Sequence, residues 1–199
     1  MKILALDSSG LVASVAVVEN DTLLAEYTVN YKKTHSQTLL PMLDEISNMT
    51  ELDLSTIDAI AVAGGPGSFT GLRIGSATAK GLGLALEKPL ISIPTTAAIA
   101  YNIWDTDKFV CPIMDARRNQ VYTGVYCYTD HRLDTVWEQD TMSIEALAEG
   151  LNCLDHEVIF LGDGVAVYRE KLEALLTIPF SFAPAHVNRQ RAAAVGALA

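Results

Sequence analysis

Cysteine is scarce in this sequence, and its three cysteines suggest neither a disulfide nor a metal site. Cys111, Cys127 and Cys153 are widely spaced, and no two of them form a C-x-x-C pair. Isolated cysteines of this kind are typical of free thiols in a reducing compartment. No apolar run approaches the roughly 20 residues that a membrane helix needs, and residues 1–7 resemble a strand rather than a signal peptide. We therefore expect a cytoplasmic protein that has no membrane segment.

Positive charge is also scarce. The chain has 14 Lys and Arg residues against 24 Asp and Glu residues, which leaves a net charge of −10. A surface that binds nucleic acid needs clustered lysine and arginine side chains. If nucleic acid is involved in the function, we expect another subunit to hold it.

Recognisable catalytic motifs are missing. No two of the four histidines are four residues apart, so a helix-borne metal pair is not predicted. There is no G-x-S-x-G nucleophile elbow, and neither the Walker pattern nor the dinucleotide fingerprint fits the glycines that are present. We expect no catalytic residue, no metal ligand and no cofactor in this chain.

The sequence is organised around one glycine-rich stretch, residues 59–89. A buried strand enters a Gly-Gly-Pro-Gly loop, and a helix follows from about Gly71 and is closed by Pro89. Each glycine inside that helix should cost about 1 kcal/mol relative to alanine. Gly75, Ala79 and Gly83 form a smooth stripe along it, which predicts that an element of this chain or of a partner packs very close. The loop before the helix is either an anion cradle or a structural turn.

The order of predicted elements repeats along the chain. Residues 2–48 read as three strands and a helix capped by Thr34 or Ser36. With the strand and helix of the glycine-rich stretch, the first half is β-β-β-α-β-α, and the same order returns from residue 110. The polar segment 105–108 divides the chain into an α/β lobe 1–104 and a second lobe 105–199. The last helix has neither a closing glycine nor a proline, so we expect the chain to be truncated at its end.

The best candidate site lies at the ends of two equivalent strands. Asp7, Ser8 and Ser9 end the first strand, and Asp115 has the matching place in the second lobe, where Gly162 and Gly164 flank a turn. Two hypotheses remain open. The carboxylates either hold a metal–nucleotide in a degenerate cleft, or they bond turn amides as aspartates commonly do.

Six segments in order along nearly the whole chain resemble the TsaB (YeaZ) family. They are KILALDSS (2–9), HSQTLLPM (35–42), GPGSFTGLRIG (65–75), AKGL (79–82), MDAR (114–117) and GDG (162–164). The resemblance implies a two-lobed fold of the actin/sugar-kinase/Hsp70-like (ribonuclease H-like) superfamily. It also implies a non-catalytic subunit required for threonylcarbamoyl transfer to adenosine 37 of tRNA. Such a subunit binds the catalytic paralogue TsaD and the ATPase TsaE, and meets tRNA only through the complex.

The paralogue provides a test at the level of single residues. Its metal-binding H-x-x-x-H follows the same glycine loop and helix, and by that alignment the two histidines fall on Thr95 and Ile99 here. A threonine hydroxyl is a poor ligand and isoleucine has no ligand atom. The resemblance therefore implies a member that kept the scaffold and lost the metal site.

We expect the function to lie in a protein–protein surface formed by the helix 36–46 and the glycine-striped helix. Without TsaD, the same surface is expected to pair with itself in a two-fold dimer. The expected partner-binding residues are Ser36, Leu39, Leu40, Leu43, Ile46, Leu72, Ile74, Gly75, Ala79, Leu82 and Gly83. The alternative is a nucleotide-binding hydrolase, or a peptidase as an older glycoprotease label suggests, that uses Asp7 and Asp115.

Overall fold

The computed structural model describes residues 1–31 and 37–199, which form two α/β units. The first unit comprises Met1–Ala98 and Gln190–Ala199, and the second comprises Ile99–Arg189. The expected caps Thr34 and Ser36 lie outside the described residues. Among those residues, none of the helices combines the length and the apolar character that crossing a membrane requires.

The elements follow the predicted order. The strands are β1 (Lys2–Asp7), β2 (Val12–Glu19), β3 (Thr22–Asn30), β4 (Ala59–Ala63), β5 (Leu90–Ile93), β6 (Phe109–Arg117), β7 (Gln120–Thr129), β8 (Arg132–Ser143), β9 (Val158–Leu161) and β10 (Phe180–Phe182). The helices are α1 (Leu39–Thr50), α2 (Phe69–Leu86), α3 (Thr95–Ala100), α4 (Ile144–Asn152), α5 (Val165–Leu175) and α6 (Ala192–Leu198). Each half thus contains β-β-β-α-β-α, which confirms the predicted repetition.

The sheet of the first unit has the order β3-β2-β1-β4-β5. The central strand, β1, pairs antiparallel with β2 and parallel with β4. The strand pairing is therefore antiparallel on one side of β1 and parallel on the other. Because successive side chains of a strand point to opposite faces, β1 contributes to two cores. Leu4 and Leu6 pack with α1 and α2 on one face, whereas Ile3 and Ala5 pack with α6 on the other.

The second unit repeats this arrangement with its own sheet. The strand order is β10-β9-β6-β7-β8, with β6 antiparallel to β7 and parallel to β9. The side chains of α4 and α5 close a core around Ile113, Val121 and Phe160. Within the first unit, β1 ends at Asp7, as predicted. Within the second unit, β6 does not end at Asp115 but continues to Arg117, which pairs with Gln120 after an irregularity in the register.

The last helix, α6, belongs to the first unit, which corrects the expected division into residues 1–104 and 105–199. Its amide at Ala192 donates to Ser14 Oγ over 2.9 Å, and Glu26 accepts from Arg191 and from the Ala193 amide. A Cβ at Gly196 would lie 2.9 Å from Val18 Cγ2, so the helix lies directly on the sheet. These are contacts between segments far apart in sequence, and local patterns could not indicate them.

Candidate functional site

The glycine-rich loop before α2 is a structural turn whose amides bond to its own unit. The Gly65 amide donates to Thr95 Oγ1 over 3.1 Å, and the Ser68 amide donates to Ser9 O over 2.7 Å. Gly67 has φ +156°, and a Cβ there would lie 2.3 Å from Ser9 O. The glycines therefore allow backbone to approach backbone. Of the two hypotheses for this loop, the geometry favours the structural turn over the anion cradle.

The segment Asp7, Ser8 and Ser9 is buried against this loop. Asp7 Oδ1 accepts from the Ser9 amide over 2.8 Å and from Ser9 Oγ over 2.7 Å. Ser8 Oγ donates to Gly71 O at the start of α2 over 2.9 Å. Ser8 thus fastens the end of β1 to the first turn of α2, while Asp7 and Ser9 hold the turn that follows the strand.

The equivalent corner of the second unit is built on Asp115. Its Oδ1 accepts from the Arg117 amide over 2.9 Å and from the Tyr168 hydroxyl over 3.0 Å. Burial, followed by this bond, raises the pKa of Tyr168 to about 12. The Asp115 amide donates to Asp163 Oδ1 over 3.2 Å, and burial raises the pKa of the Asp163 carboxyl above its ordinary value.

The two glycines of this corner serve backbone packing. Gly162 has φ +101°, and a Cβ on it would lie 2.2 Å from Ile113 O. The Gly164 amide donates to the same carbonyl over 3.0 Å. The predicted residues Asp115, Gly162 and Gly164 do come together, as do Asp7, Ser8 and Ser9 in the first unit. In both places, the aspartate and its neighbours hold a turn.

The positions that align with the paralogue's metal ligands do not fit a metal. Thr95 is fully buried, its hydroxyl accepts from Gly65, and its amide donates to Gly65 O over 2.8 Å. Ile99 is a fully buried hydrocarbon side chain. Within residues 1–31 and 37–199, no group of three or more His, Cys, Asp or Glu side chains is arranged to hold a metal ion.

The smooth stripe of α2 faces its own sheet, which corrects the prediction that it binds a partner. Gly75, Ala79 and Gly83 are all buried. A Cβ at Gly75 would lie 2.5 Å from Ser8 Oγ, and one at Gly83 would lie 2.8 Å from Leu90 Cδ2. The element that packs close to the stripe therefore comes from the same chain. These three residues are not available to another protein.

The expected interface residues of α1 need a similar correction. Leu39, Leu43 and Ile46 are buried in the core that α1 shares with the sheet. Leu40 is 52% exposed and lies on the solvent side. Ser36 lies outside the described residues. Leu72, Ile74 and Leu82 are half-buried, and of these Ile74 and Leu82 pack beside the core. For these three residues and for Leu40, partner binding stays a prediction.

The opposite side of α2 is a surface of which the sequence analysis predicted only Leu72. We call it the outer face of α2, and it consists of Phe69, Leu72, Arg73, Ser76, Ala77, Lys80 and Leu84. Six of these residues line a shallow depression of about 340 Å³. Phe69 is 68% exposed and Leu84 is 84% exposed, and the Arg73 guanidinium lies 3.9 Å from the centre of the Phe69 ring. The sequence contains a signal for this face, because helical periodicity puts positions 73, 77, 80 and 84 on one side of the helix, away from the glycine stripe.

Comparisons with known proteins agree with the two-lobed architecture. A family model described as "TsaD: tRNA N6-adenosine threonylcarbamoyltransferase" matches residues 22–199. The Bacillus subtilis (strain 168) protein named "tRNA threonylcarbamoyladenosine biosynthesis protein TsaB" is 35% identical over 176 residues, which cover 88% of this chain and 77% of the relative.

Solved structures place the fold. The structure of YeaZ from Pseudomonas aeruginosa superposes with a TM-score of 0.84 at 26% identity, covering 99% of this chain and 89% of that one. The inorganic polyphosphate/ATP-glucomannokinase from Arthrobacter sp. strain KM superposes with a TM-score of 0.53 at 16% identity, covering 98% and 96% of the two chains. The second match shows the fold alone and confirms the predicted sugar-kinase-like class. On the strength of its sequence and structural matches, the chain belongs to the TsaB family.

Proposed function

We propose that this chain is a non-catalytic subunit in the biosynthesis of threonylcarbamoyladenosine in tRNA. Its relatives in Bacillus subtilis and Escherichia coli are named for that biosynthesis, and membership of the family assigns the chain a role in it. The proposal adds that the role is structural, that it is carried out in the cytoplasm, and that it consists in binding a TsaD-like catalytic paralogue.

The bonding of Thr95 is the observation that carries the proposal. In the paralogue, a metal-binding histidine occupies the aligned position. Here the Thr95 hydroxyl accepts a hydrogen bond from the Gly65 amide, and the Thr95 amide donates one to the Gly65 carbonyl. Through these two bonds Thr95 supports the loop before α2, and a threonine hydroxyl is a poor metal ligand in any case. The position has therefore become part of the scaffold that presents α2.

The outer face of α2 supports the partner-binding part of the proposal. Phe69 and Leu84 are exposed apolar side chains near the two ends of this face, and exposed apolar surface is typical of interfaces. The same face carries Arg73 and Lys80 in a chain whose net charge is −10. We therefore expect the facing surface of the paralogue to combine apolar side chains with carboxylates. Leu40 of α1 is a further exposed apolar side chain of the same unit.

The remaining partners are part of the same proposal. A TsaE-like ATPase joins the two paralogues, and tRNA is contacted only through the complex because the acidic chain offers little positive charge. Alone, the protein forms a homodimer through the same face. That pairing is weaker than the heterodimer, because a two-fold axis would bring Arg73 and Lys80 of both copies near each other.

The alternative, a hydrolase that uses Asp7 and Asp115, has less support. In each aspartate, Oδ1 accepts a backbone amide two residues further along the chain. These bonds are those of the turn-forming hypothesis. Calorimetric titration with ATP and Mg²⁺ tests the alternative, which would gain support from tight binding that Asp7→Ala abolishes.

Two experiments test the proposed function. The first is the tRNA-modification reaction reconstituted from purified components with and without this protein. We expect no product without it and none from it alone; undiminished product in its absence would contradict the proposal.

The second experiment measures binding of the TsaD-like paralogue to Leu84→Asp, with Val167→Asp as the matched control. Both changes place a carboxylate at an exposed apolar position on a helix, one on the outer face of α2 and one on α5 of the second unit. We expect Leu84→Asp to weaken binding by about tenfold or more, and Val167→Asp to bind as the wild type does. Equal binding by both variants would show that the outer face of α2 is not the interface.

A further inference from the structure

The second unit carries an aromatic cluster that the proposed function does not use. The rings of Tyr101 and Trp104 have centroids 5.5 Å apart and cross at 80°, and those of Trp104 and Tyr128 are also 5.5 Å apart and cross at 66°. Trp104 is the middle member, and it is 57% exposed. The indole thus contacts both phenol rings and still presents a large part of its surface to solvent.

This cluster is not a completed piece of core. The Tyr128 hydroxyl is buried, and no residue in the described part of the chain bonds to it. The other tryptophan of the chain behaves differently. Trp137 packs against the second core, and a Cβ on Gly150 would lie 2.7 Å from its ring. Tryptophan is highly buried on average, and Trp137 shows how the fold places one that serves packing alone.

Negative charge lies next to the aromatic cluster. Asp105 follows Trp104 in sequence, and its Oδ2 lies 2.6 Å from His131 Nδ1, within hydrogen-bond distance. Burial, followed by the nearby Tyr101 and Asp105, raises the pKa of Tyr128. Lys108, a nearby cation in the sequence, is already paired with Glu157 at 2.6 Å.

The chemistry of this corner selects among ligands. The face of an indole attracts a cation more strongly than the face of any other side chain does, and a neighbouring carboxylate adds to the attraction. An RNA base could also stack on the exposed ring, but its phosphates would meet Asp105 and a chain of net charge −10. Charge complementarity therefore favours a cation over a nucleotide.

We propose that Trp104, flanked by Tyr101 and Tyr128 and backed by Asp105, forms a binding site for a cationic side chain, an arginine or lysine, of a protein partner. The site lies in the second unit and uses no residue of the outer face of α2. It can therefore be lost while the proposed TsaD-like docking is retained. A partner bound here would be recognised through a single projecting cation rather than through a broad apolar surface.

The test is a nitrogen–proton NMR titration of the full chain, followed through its two indole N–H signals. Trp104→Phe assigns the signals, and Trp137 serves as the internal reference that should not move. The probes are N-acetyl-arginine amide and N-acetyl-lysine amide, with AMP as the stacking competitor. We expect the arginine probe to shift the Trp104 signal saturably, and AMP to leave it unchanged.

Two matched variants distinguish a specific binding site at Trp104 from general attraction of a cation to the acidic protein. Asp105→Asn and Asp44→Asn each remove one negative charge, but Asp44 lies on α1 of the first unit. We expect Asp105→Asn to weaken binding of the arginine probe by about two- to fivefold, and Asp44→Asn to leave it unchanged. The proposal is overturned if neither cationic probe moves the Trp104 signal, if AMP moves it in their place, or if both variants weaken binding equally.

Discussion

The contact between Ser8 and Gly75 offers a quantitative test of how α2 is held on its sheet. Ser8 is buried and donates its hydroxyl to Gly71 O over 2.9 Å. A methyl group on residue 75 would place its carbon 2.5 Å from Ser8 Oγ, closer than real Cβ atoms come to a neighbour. In the variant Gly75→Ala, the Ser8 side chain must therefore rotate and give up this hydrogen bond.

The expected effect combines two terms. Alanine in a helix interior gains about 1 kcal/mol over glycine, while a buried hydroxyl and carbonyl that lose their bond cost about 1–3 kcal/mol. Gly75→Ala should therefore lower the free energy of unfolding by about 0–2 kcal/mol. In a Ser8→Ala background the obstacle is gone, because Ser8 Cβ lies at an ordinary 3.8 Å. In that background, Gly75→Ala should stabilise the protein by about 1 kcal/mol. A double-mutant cycle of the two positions should therefore show a coupling free energy of about 1–3 kcal/mol between residues 8 and 75.

Gly81→Ala is the matched control, since Gly81 lies on the same helix and a Cβ on it would meet no heavy atom within 4 Å. It should stabilise by about 1 kcal/mol in both backgrounds. Unfolding in urea is followed by far-UV circular dichroism, because both tryptophans lie in the second unit and their fluorescence would not report on α2. If Gly75→Ala stabilised the wild-type protein as much as Gly81→Ala does, the proposed role of the glycine stripe would be refuted.

Two further predictions concern polar groups that hold turns. Thr95→Val leaves the buried Gly65 amide without its acceptor and should destabilise the protein by about 1–3 kcal/mol, whereas Thr95→Ser keeps the hydroxyl. Urea unfolding of the two variants tests this, and an equal loss of stability in both would refute the hydrogen-bond argument. Hydrogen bonds from Asn119, then Lys171, lower the pKa of Glu145 to about 2 from its ordinary 4.5. Its ionised form is thus favoured by folding, and this stabilisation is present above pH about 4.5 and is lost as the pH falls towards about 2. In Asn119→Ala the pKa, measured by carboxyl NMR titration, should rise towards 4.5, and an unchanged value would show that this bond does not govern it.

Much of the architecture was accessible from local patterns. The apolar strands, the Gly-Gly-Pro-Gly loop and the helix ended by Pro89 lie where the sequence predicts them, within a few residues. α2 begins at Phe69 rather than at Gly71 because the Ser68 hydroxyl accepts from the Gly71 amide and starts the helix earlier. Strand and helix periodicities depend on residues close in sequence, so such elements can be predicted from the sequence alone.

The candidate site was only partly predictable. The glycine stripe correctly indicated close packing, but which side of α2 met the sheet depended on where β1 and the loop after it lay. The aromatic cluster was not predicted, since Tyr128 comes from β7 and joins Tyr101 and Trp104 only through the tertiary fold. Nothing in the spacing of these residues along the chain signals that their rings meet.

By itself, the sequence determined the order β-β-β-α-β-α in each half, the aspartates near the carboxyl ends of β1 and β6, and the motifs that place the chain in the TsaB family. Only the tertiary structure decided that Gly75 faces Ser8, that α6 joins the first unit, and that the outer face of α2 is exposed. The physical reason is the range of the interactions. Hydrophobic periodicity and turn chemistry act between near neighbours in the chain, whereas the bond between Ser8 and Gly71 joins residues 63 positions apart.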